Sequence, residues 1–129
     1  MAANTIPIFP LTPVISGCTI STANTNRDGS GDLGNVITGA TDGTRIDRIT
    51  VKARVTTTAG AVRLFVCTGE IYYFLDEVIV TAITVGASTA SFAQTLYYDR
   101  GLILPYNYLI KASTHNAETF DVTAFGGNY

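Results

Sequence analysis

Arg45-Ile46-Asp47-Arg48-Ile49-Thr50-Val51-Lys52-Ala53-Arg54-Val55 decides the fold class. Ile49, Val51, Ala53 and Val55 fall on one side of an extended chain, and Arg48, Thr50, Lys52 and Arg54 on the other. Successive strand side chains point to opposite faces, so a period of two reads as a half-buried strand. The same period returns downstream. Val62, Leu64 and Val66 alternate with Arg63, Phe65 and Cys67. Ile71 to Val80 is a run rich in aromatic and β-branched residues. Ala90, Phe92, Gln94 and Leu96 alternate with Ser91, Ala93, Thr95 and Tyr97, and Tyr106–Thr114 and Thr119–Phe125 read as the last strands. Turn chemistry separates these runs. Thr57-Thr58-Ala59-Gly60 reads as a hairpin connection, and Thr68-Gly69-Glu70, Val85-Gly86-Ala87-Ser88, Asp99-Arg100-Gly101 and His115-Asn116-Ala117-Glu118 read as turns. Roughly seven to nine short strands, a turn about every ten residues and no sustained helical period predict an all-β, single-domain antiparallel β-sandwich, jelly-roll-like in its long strands and intervening loops.

Upstream, the pattern changes. Pro7, Pro10 and Pro13 recur at every third position. Each fixes φ, removes an N–H and holds its predecessor extended. Residues 1–15 are therefore expected to form an extended arm, with the sandwich over 16–129. The arm carries Ile6, Pro7, Ile8, Phe9, Pro10 and Leu11. Apolar side chains on an extended segment must lie on something: their own domain, a neighbouring subunit or another protein. Residues 24–45 are polar and Gly-rich, and read as a loop, a short strand near Val36 and a turn at Asp42-Gly43.

Composition narrows the function classes. The chain has 129 residues, which fits one domain. Folded, it would expose roughly 6,600 Å², about a third of its unfolded surface, so a core forms without staples. Charged residues make up 14% and apolar ones 47%, too apolar for disorder and apolar enough to predict self-association. Eight Lys and Arg against ten Asp and Glu give a net charge of −2, so no basic footprint for nucleic acid is present. No run approaches the roughly 20 apolar residues of a membrane-spanning helix, and the first residues lack the pattern of a secretory signal. Cys18 and Cys67 are then expected as free thiols in a reducing compartment.

The search for chemistry finds little. His115 is the lone histidine and sits in a turn. A catalytic triad needs it beside a nucleophile and an acid, whereas turn histidines are usually solvated or bonded to backbone. Asp76 and Glu77 are adjacent in a strand, and Glu118 and Asp121 are three apart, so neither pair is expected to converge as glycosidase carboxylates. Asn26, Asp28, Ser30 and Asp32 echo the first half of a calcium loop, but Ile37 stands where the closing acid belongs. Gly29, Gly31 and Gly34 fit a dinucleotide fingerprint without its strand and helix. Tyr72, Tyr73, Tyr97, Tyr98, Tyr106, Tyr108 and Tyr129 could stack on sugars, and are equally ordinary strand residues. Arg45, Arg48, Lys52 and Arg54 form a basic strand face, with Arg63 expected nearby on the next strand; such a face is either solvated or pairs with an acidic partner. No metal and no cofactor is expected, and no enzyme.

Gly43-Thr-Arg-Ile-Asp-Arg-Ile-Thr-Val-Lys-Ala, Thr57-Thr-Ala-Gly-Ala-Val-Arg-Leu-Phe-Val, Leu104-Pro105, and Ile110-Lys-Ala-Ser-Thr-His-Asn-Ala-Glu-Thr-Phe-Asp-Val-Thr-Ala-Phe-Gly-Gly give a further reading. Over roughly residues 43–129, leaving the arm outside, the chain resembles small virion proteins of tailed bacteriophages that act as capsid decoration or cement proteins. The resemblance implies a β-sandwich or barrel, an oligomer on the shell with a trimer favoured, and the major capsid protein as partner. It implies a place on the capsid exterior after assembly in a bacterial cytoplasm, without nucleic acid or membrane. It carries no catalytic residues. The alternative is a receptor- or glycan-binding β-module of a head fibre or tail, with tyrosines gathered beside a polar loop such as 24–35.

Overall fold

A computed structural model describes residues 9–129, apart from the side chain of Arg100. Eight strands follow in order: β1 Thr12–Ile20, β2 Gly34–Thr38, β3 Thr44–Ala53, β4 Gly60–Thr68, β5 Ile71–Val80, β6 Ala93–Leu104, β7 Leu109–Thr114 and β8 Phe120–Asn128. They form two four-stranded antiparallel sheets. One has the order β1-β8-β3-β6, here the front sheet, and the other β2-β7-β4-β5, the back sheet.

This order has a simple origin. β4 pairs with β5, β3 with β6, β2 with β7 and β1 with β8. The chain is thus one long hairpin, closed at its tip by the turn through Gly69, which has φ of 58°. Rolling that hairpin up brings β3 beside β8 and β4 beside β7. The result is a jelly roll, as the strand pattern predicts.

The core lies between the sheets. Ile49, Val51 and Ala53 of β3 sit in register with Ala124, Val122 and Phe120 of β8. Val62 and Leu64 of β4, Ile110 and Ala112 of β7, and Val78 and Val80 of β5 face them from the back sheet. Each fully buried Val, Leu or Ile contributes about 1.5–3 kcal/mol relative to exposure. At one margin the Ser16 hydroxyl donates to the Val36 carbonyl at 2.8 Å. At the other, the Tyr98 hydroxyl meets the Asp76 carboxylate at 3.5 Å. Burial first, then that carboxylate, pushes the Tyr98 phenol far above its ordinary range.

Several sequence expectations are corrected. Residues 12–15 belong to β1, not to an arm: Thr12 to Ile15 pair with Asn128 to Phe125. Pro13 is tolerated because β1 is an edge strand, where a missing N–H costs no ladder bond. Thr57–Gly60 is not a hairpin, because β3 and β4 lie in different sheets and the connection crosses between them. Val55 turns outward, since β3 ends at Ala53. Asp99–Gly101 does not end a strand. β6 runs through it as a wide bulge, pairing Tyr97 with Arg48 and next Leu102 with Ile46. Gly101, with φ of 82°, supplies the left-handed residue such a bend needs.

Candidate interaction surfaces

The two outer faces follow from the same alternation. On the front sheet, Asp47 is an extra residue in β3 opposite β8. This bulge shifts the period by one, so Arg45 and Arg48, three apart, both point outward. Gly126 of β8 permits it, since a Cβ there would strike the Arg45 carbonyl. Outward rows then run across the sheet. Ile15, Phe125, Arg48 and Tyr97 form one row, and Pro13, Gly127, Arg45 and Ile103 the next. Ile15 is 73% exposed, Tyr97 68% and Ile103 53%. Phe9 and Leu11, just before β1, are also exposed, and Pro10 lies over the outward side of Gly127. The Leu11 amide donates to the Asn128 carbonyl at 2.8 Å, which carries the edge beyond Thr12.

The four basic residues share this face but do not make it a cationic patch. Arg45 pairs with Asp47 at 3.0 Å, and Arg54 with Asp121 at 2.7 Å. Arg48 lies over the Phe125 ring, 4.2 Å from its centroid. Lys52 donates to the Ser91 carbonyl at 3.1 Å. Asp121 also accepts from the Thr19 hydroxyl at 2.6 Å. Arg54 and Thr19 together hold its carboxyl below the usual range. The face is therefore apolar, with two of its four cations ion-paired and Arg48 and Lys52 held by neutral groups. Of the arm residues, Phe9 and Leu11 are exposed and Pro10 packs against Gly127, while Ile6, Pro7 and Ile8 lie outside the described residues.

The back sheet is different. Arg63 is not beside the basic face; it lies in the other sheet and is 2% exposed. Its Nε donates to Glu77 at 2.8 Å, and its Nη2 lies 3.1 Å from His115 Nδ1. A guanidinium only donates, so His115 accepts there and carries its proton on Nε2. The segment 21–33 folds over this group. Arg27 reaches the same Glu77 carboxylate at 3.0 Å. Gly29, with φ of 88°, lies against Tyr72 so closely that any Cβ would collide with the ring. Phe65 stacks on Phe74, centroids 5.3 Å apart. Covered in this way, the outward residues Phe65 and Cys67 are each 1% exposed.

The chain matches no family model and no curated protein.

The remaining candidates are placed as follows. Asp28 accepts from both the amide and the hydroxyl of Ser30, which holds its carboxyl below the usual range. Asn24 organises the 26–32 loop by donating to the carbonyls of Ser30 and Asp32. Among the described residues, no three His, Cys, Asp or Glu side chains gather as metal ligands. Gly29, Gly31 and Gly34 lie in loop and strand, not before a helix. Asp76 and Glu77 diverge: Asp76 meets Tyr98, whereas Glu77 meets Arg63 on the outer side. Glu118 instead accepts from the amide and hydroxyl of Thr58. Tyr73, Tyr97 and Tyr106 are exposed on separate elements, and Tyr72 is partly covered by the loop, so the tyrosines form no single platform. Cys18 and Cys67 are free, in opposite sheets. Burial, reinforced by Asp121, pushes the Cys18 thiol up to about 11, and burial also raises Cys67.

Sequence reading missed Ile15, Phe125, Tyr97 and Ile103 as one surface. The signal for Ile15 was its shared parity with Phe9, Leu11 and Pro13. Which strands lie beside β1 depends on the rolling of the hairpin, and no local pattern carries that.

Proposed function

We propose that this chain is a non-catalytic structural protein that decorates and stabilises a tailed-phage capsid. It does so as a homo-oligomer, three copies being favoured, by laying its front-sheet face and amino-terminal arm across neighbouring copies of the major capsid protein. The observation that carries this reading is the bare apolar face of Ile15, Phe125, Tyr97 and Ile103, continued by Leu11 and Phe9. Isolated exposed apolar residues are ordinary, but a contiguous set on a sheet face marks a surface made to be covered. Arg48 over Phe125 places an Arg–aromatic pair at its centre, the residue types that dominate binding energy at interfaces. Arg45 and Arg54 are spent on internal ion pairs and Arg48 on the Phe125 ring, so the partner surface needs apolar complementarity more than opposite charge. The resemblance over residues 43–129 supplies the class of partner. A protein that binds only the assembled lattice stabilises it by mass action, and repeated copies multiply a modest contact.

The test is co-sedimentation with capsids of the phage that encodes the chain, first stripped of their decoration, alongside the native mass of the free protein. Wild type should pellet with capsids. Ile15→Asp, and a chain lacking residues 1–9, should each lose about tenfold or more in binding. Ile15→Asp should keep its unfolding free energy within about 0.5 kcal/mol, as an exposed position does. Undiminished binding by both variants would overturn the proposed surface. Failure of the wild type to bind would overturn the proposed function.

A further inference from the structure

β5 is an edge strand: β4 lies on one side of it, and among the described residues no strand lies on the other. Such an edge presents unpaired backbone N–H and C=O groups to any strand that meets it, and proteins usually blunt it with charge, proline or a covering segment. The two halves of β5 differ in this respect. In the half 76–80, the Glu77 amide donates to the Asp76 carboxylate at 2.8 Å, and the Glu77 carboxylate holds Arg63 and Arg27. The half nearest the turn reads Ile71-Tyr72-Tyr73-Phe74-Leu75, with no charge and no proline. Its side chains are bare on both sides of the sheet. Tyr73 is 60% exposed and Ile71 55% on the side of Val66, and Phe74 is 43% exposed on the side of Phe65.

The turn decides which backbone groups are free. Gly69 and Glu70 are the central residues of a two-residue turn, so the bond across its ends joins Thr68 and Ile71. Bonding to the neighbour alternates along an antiparallel strand. Ile71 and Tyr73 therefore bond toward β4, and Tyr72 and Phe74 turn their N–H and C=O to the open edge. The tract ends at Leu75, the extra residue of a bulge between the Phe74–Phe65 and Asp76–Leu64 pairs. A partner laid face-on would cover one side of this strand. A second strand laid along the edge covers both sides and satisfies the backbone groups as well.

This edge is its own complement. In antiparallel pairing with β5 of a second copy, centred on Tyr73, Tyr72 lies opposite Phe74 of the second copy and exchanges both backbone bonds with it. Tyr73 lies opposite Tyr73, and Ile71 opposite Leu75. Every opposed pair is then apolar or aromatic, the kind that stabilises neighbouring strands. Centring the pair on Phe74 instead would set Tyr72 against Asp76 and Ile71 against Glu77. We infer that the Ile71–Leu75 edge of β5 pairs with the same edge of a second copy of this chain, joining two four-stranded back sheets into one. Burying five residues a side removes roughly 800–1,000 Å² in all, the low end for a specific contact. The contact is therefore weak singly and gains from repetition on an array. It is isologous, so it does not close a ring of three; it joins one unit to the next. The front-sheet face stays free, and the inference does not rest on the capsid reading.

The experiment is disulfide trapping of the full chain, together with its native mass over a concentration series up to about 1 mM. At Tyr73 the two backbones meet in a non-hydrogen-bonded pair with Cα atoms about 4.5 Å apart, inside the span a disulfide bridges. Under mild oxidation by copper phenanthroline, Tyr73→Cys should give a covalent pair. The wild type, with its own Cys18 and Cys67, and Ile79→Cys, outside the paired tract, should stay largely unlinked. In reducing buffer the wild-type mass should double with concentration, from one copy to two or from three to six. Tyr73→Lys should abolish the doubling and leave the unfolding midpoint unchanged, because Tyr73 is exposed. Glu70→Lys should tighten the pairing about threefold or more, because the register sets Glu70 opposite Asp76 of the second copy. No doubling and no trapping at Tyr73 would overturn the pairing and leave the edge to a strand of another protein. Equal trapping at Tyr73 and Ile79 would overturn the register. Doubling that survives Tyr73→Lys would overturn the edge as the contact.

Discussion

The front and back sheets each have four strands and each buries one face against the other, yet their outer faces end differently. On the back sheet, the outward residues Arg63, Phe65 and Cys67 of β4 are buried. On the front sheet, Ile15, Tyr97 and Ile103 stay exposed. The cause is one segment. Residues 21–33 link β1 to β2 and fold back over the outer face of the back sheet, anchored through Arg27, Gly29 and Asn24. No segment among the described residues does this for the front sheet. The segment thus covers β4 within the chain, while Ile71, Tyr73, Phe74 and Ile79 of β5 stay exposed at the far edge of the back sheet. The front sheet leaves Ile15, Tyr97 and Ile103 without such a cover among the described residues.

The largest test of this contrast replaces an arginine on each face. Arg63→Ala should destabilise the fold by about 2–5 kcal/mol, because it empties the space under the 21–33 segment and leaves Glu77 only the exposed Arg27. It would also take the donor from His115 and a weak 3.5 Å contact from the Asn24 carbonyl. Arg48→Ala should cost within about 1 kcal/mol, the range of an exposed cation–π contact. Chemical denaturation of both variants gives the comparison. Similar losses at the two sites would mean that the outer faces do not differ as described.

A smaller effect is expected from loosening the cover alone. Gly29→Ala forces a side chain into a left-handed backbone conformation and against Tyr72. The strain is about 1–3 kcal/mol. Because the segment can lift without unrolling the sandwich, hydrogen exchange should rise over 21–33 and along β4 and β5 while β3 and β8 stay protected. Uniform loss of protection would show that the cover is integral to the core rather than laid upon it.

How much of this the chain announces depends on range. The β3 alternation Ile49, Val51, Ala53 is local, and the core follows from it. The β4–β5 hairpin is local too, because Gly69 marks its tip and the strands pair beside each other. β1 was masked by Pro13, which normally argues against a strand and is harmless only at an edge. The burial of Arg63 was hidden because the residues covering it lie 30 to 40 positions earlier, as the Asn24 contact illustrates with a separation of 39. Arg63 and the basic face look adjacent in sequence, but the β3–β4 connection sends them to opposite sheets. Asp32 and Thr114 likewise come together through Asn24, which donates to both carbonyls. Local period reports which way a strand faces. It does not report what a distant loop then lays on it.

The smallest expected effect concerns charge on the open face. The folded state holds the Asp121 carboxyl below its unfolded value, first through hydrogen bonding to Arg54 and then through Thr19. The sign follows. A depressed carboxyl contributes stability that is fully present above the unfolded pKa of about 3.9 and is lost as pH falls through the folded value. Asp121→Asn keeps an acceptor for Thr19 but removes the charge, so its stability difference from wild type should be present at neutral pH and vanish below that window. Arg54 is exposed, so solvent screens the pair and the difference should be small. It should fade in about 1 M salt, where the Debye length is about 3 Å. A difference that persists in both acid and high salt would mean that Asp121 acts through packing rather than charge. The front face would then be stiffened by its own side chains, as the back face is, and less free to adapt to a partner.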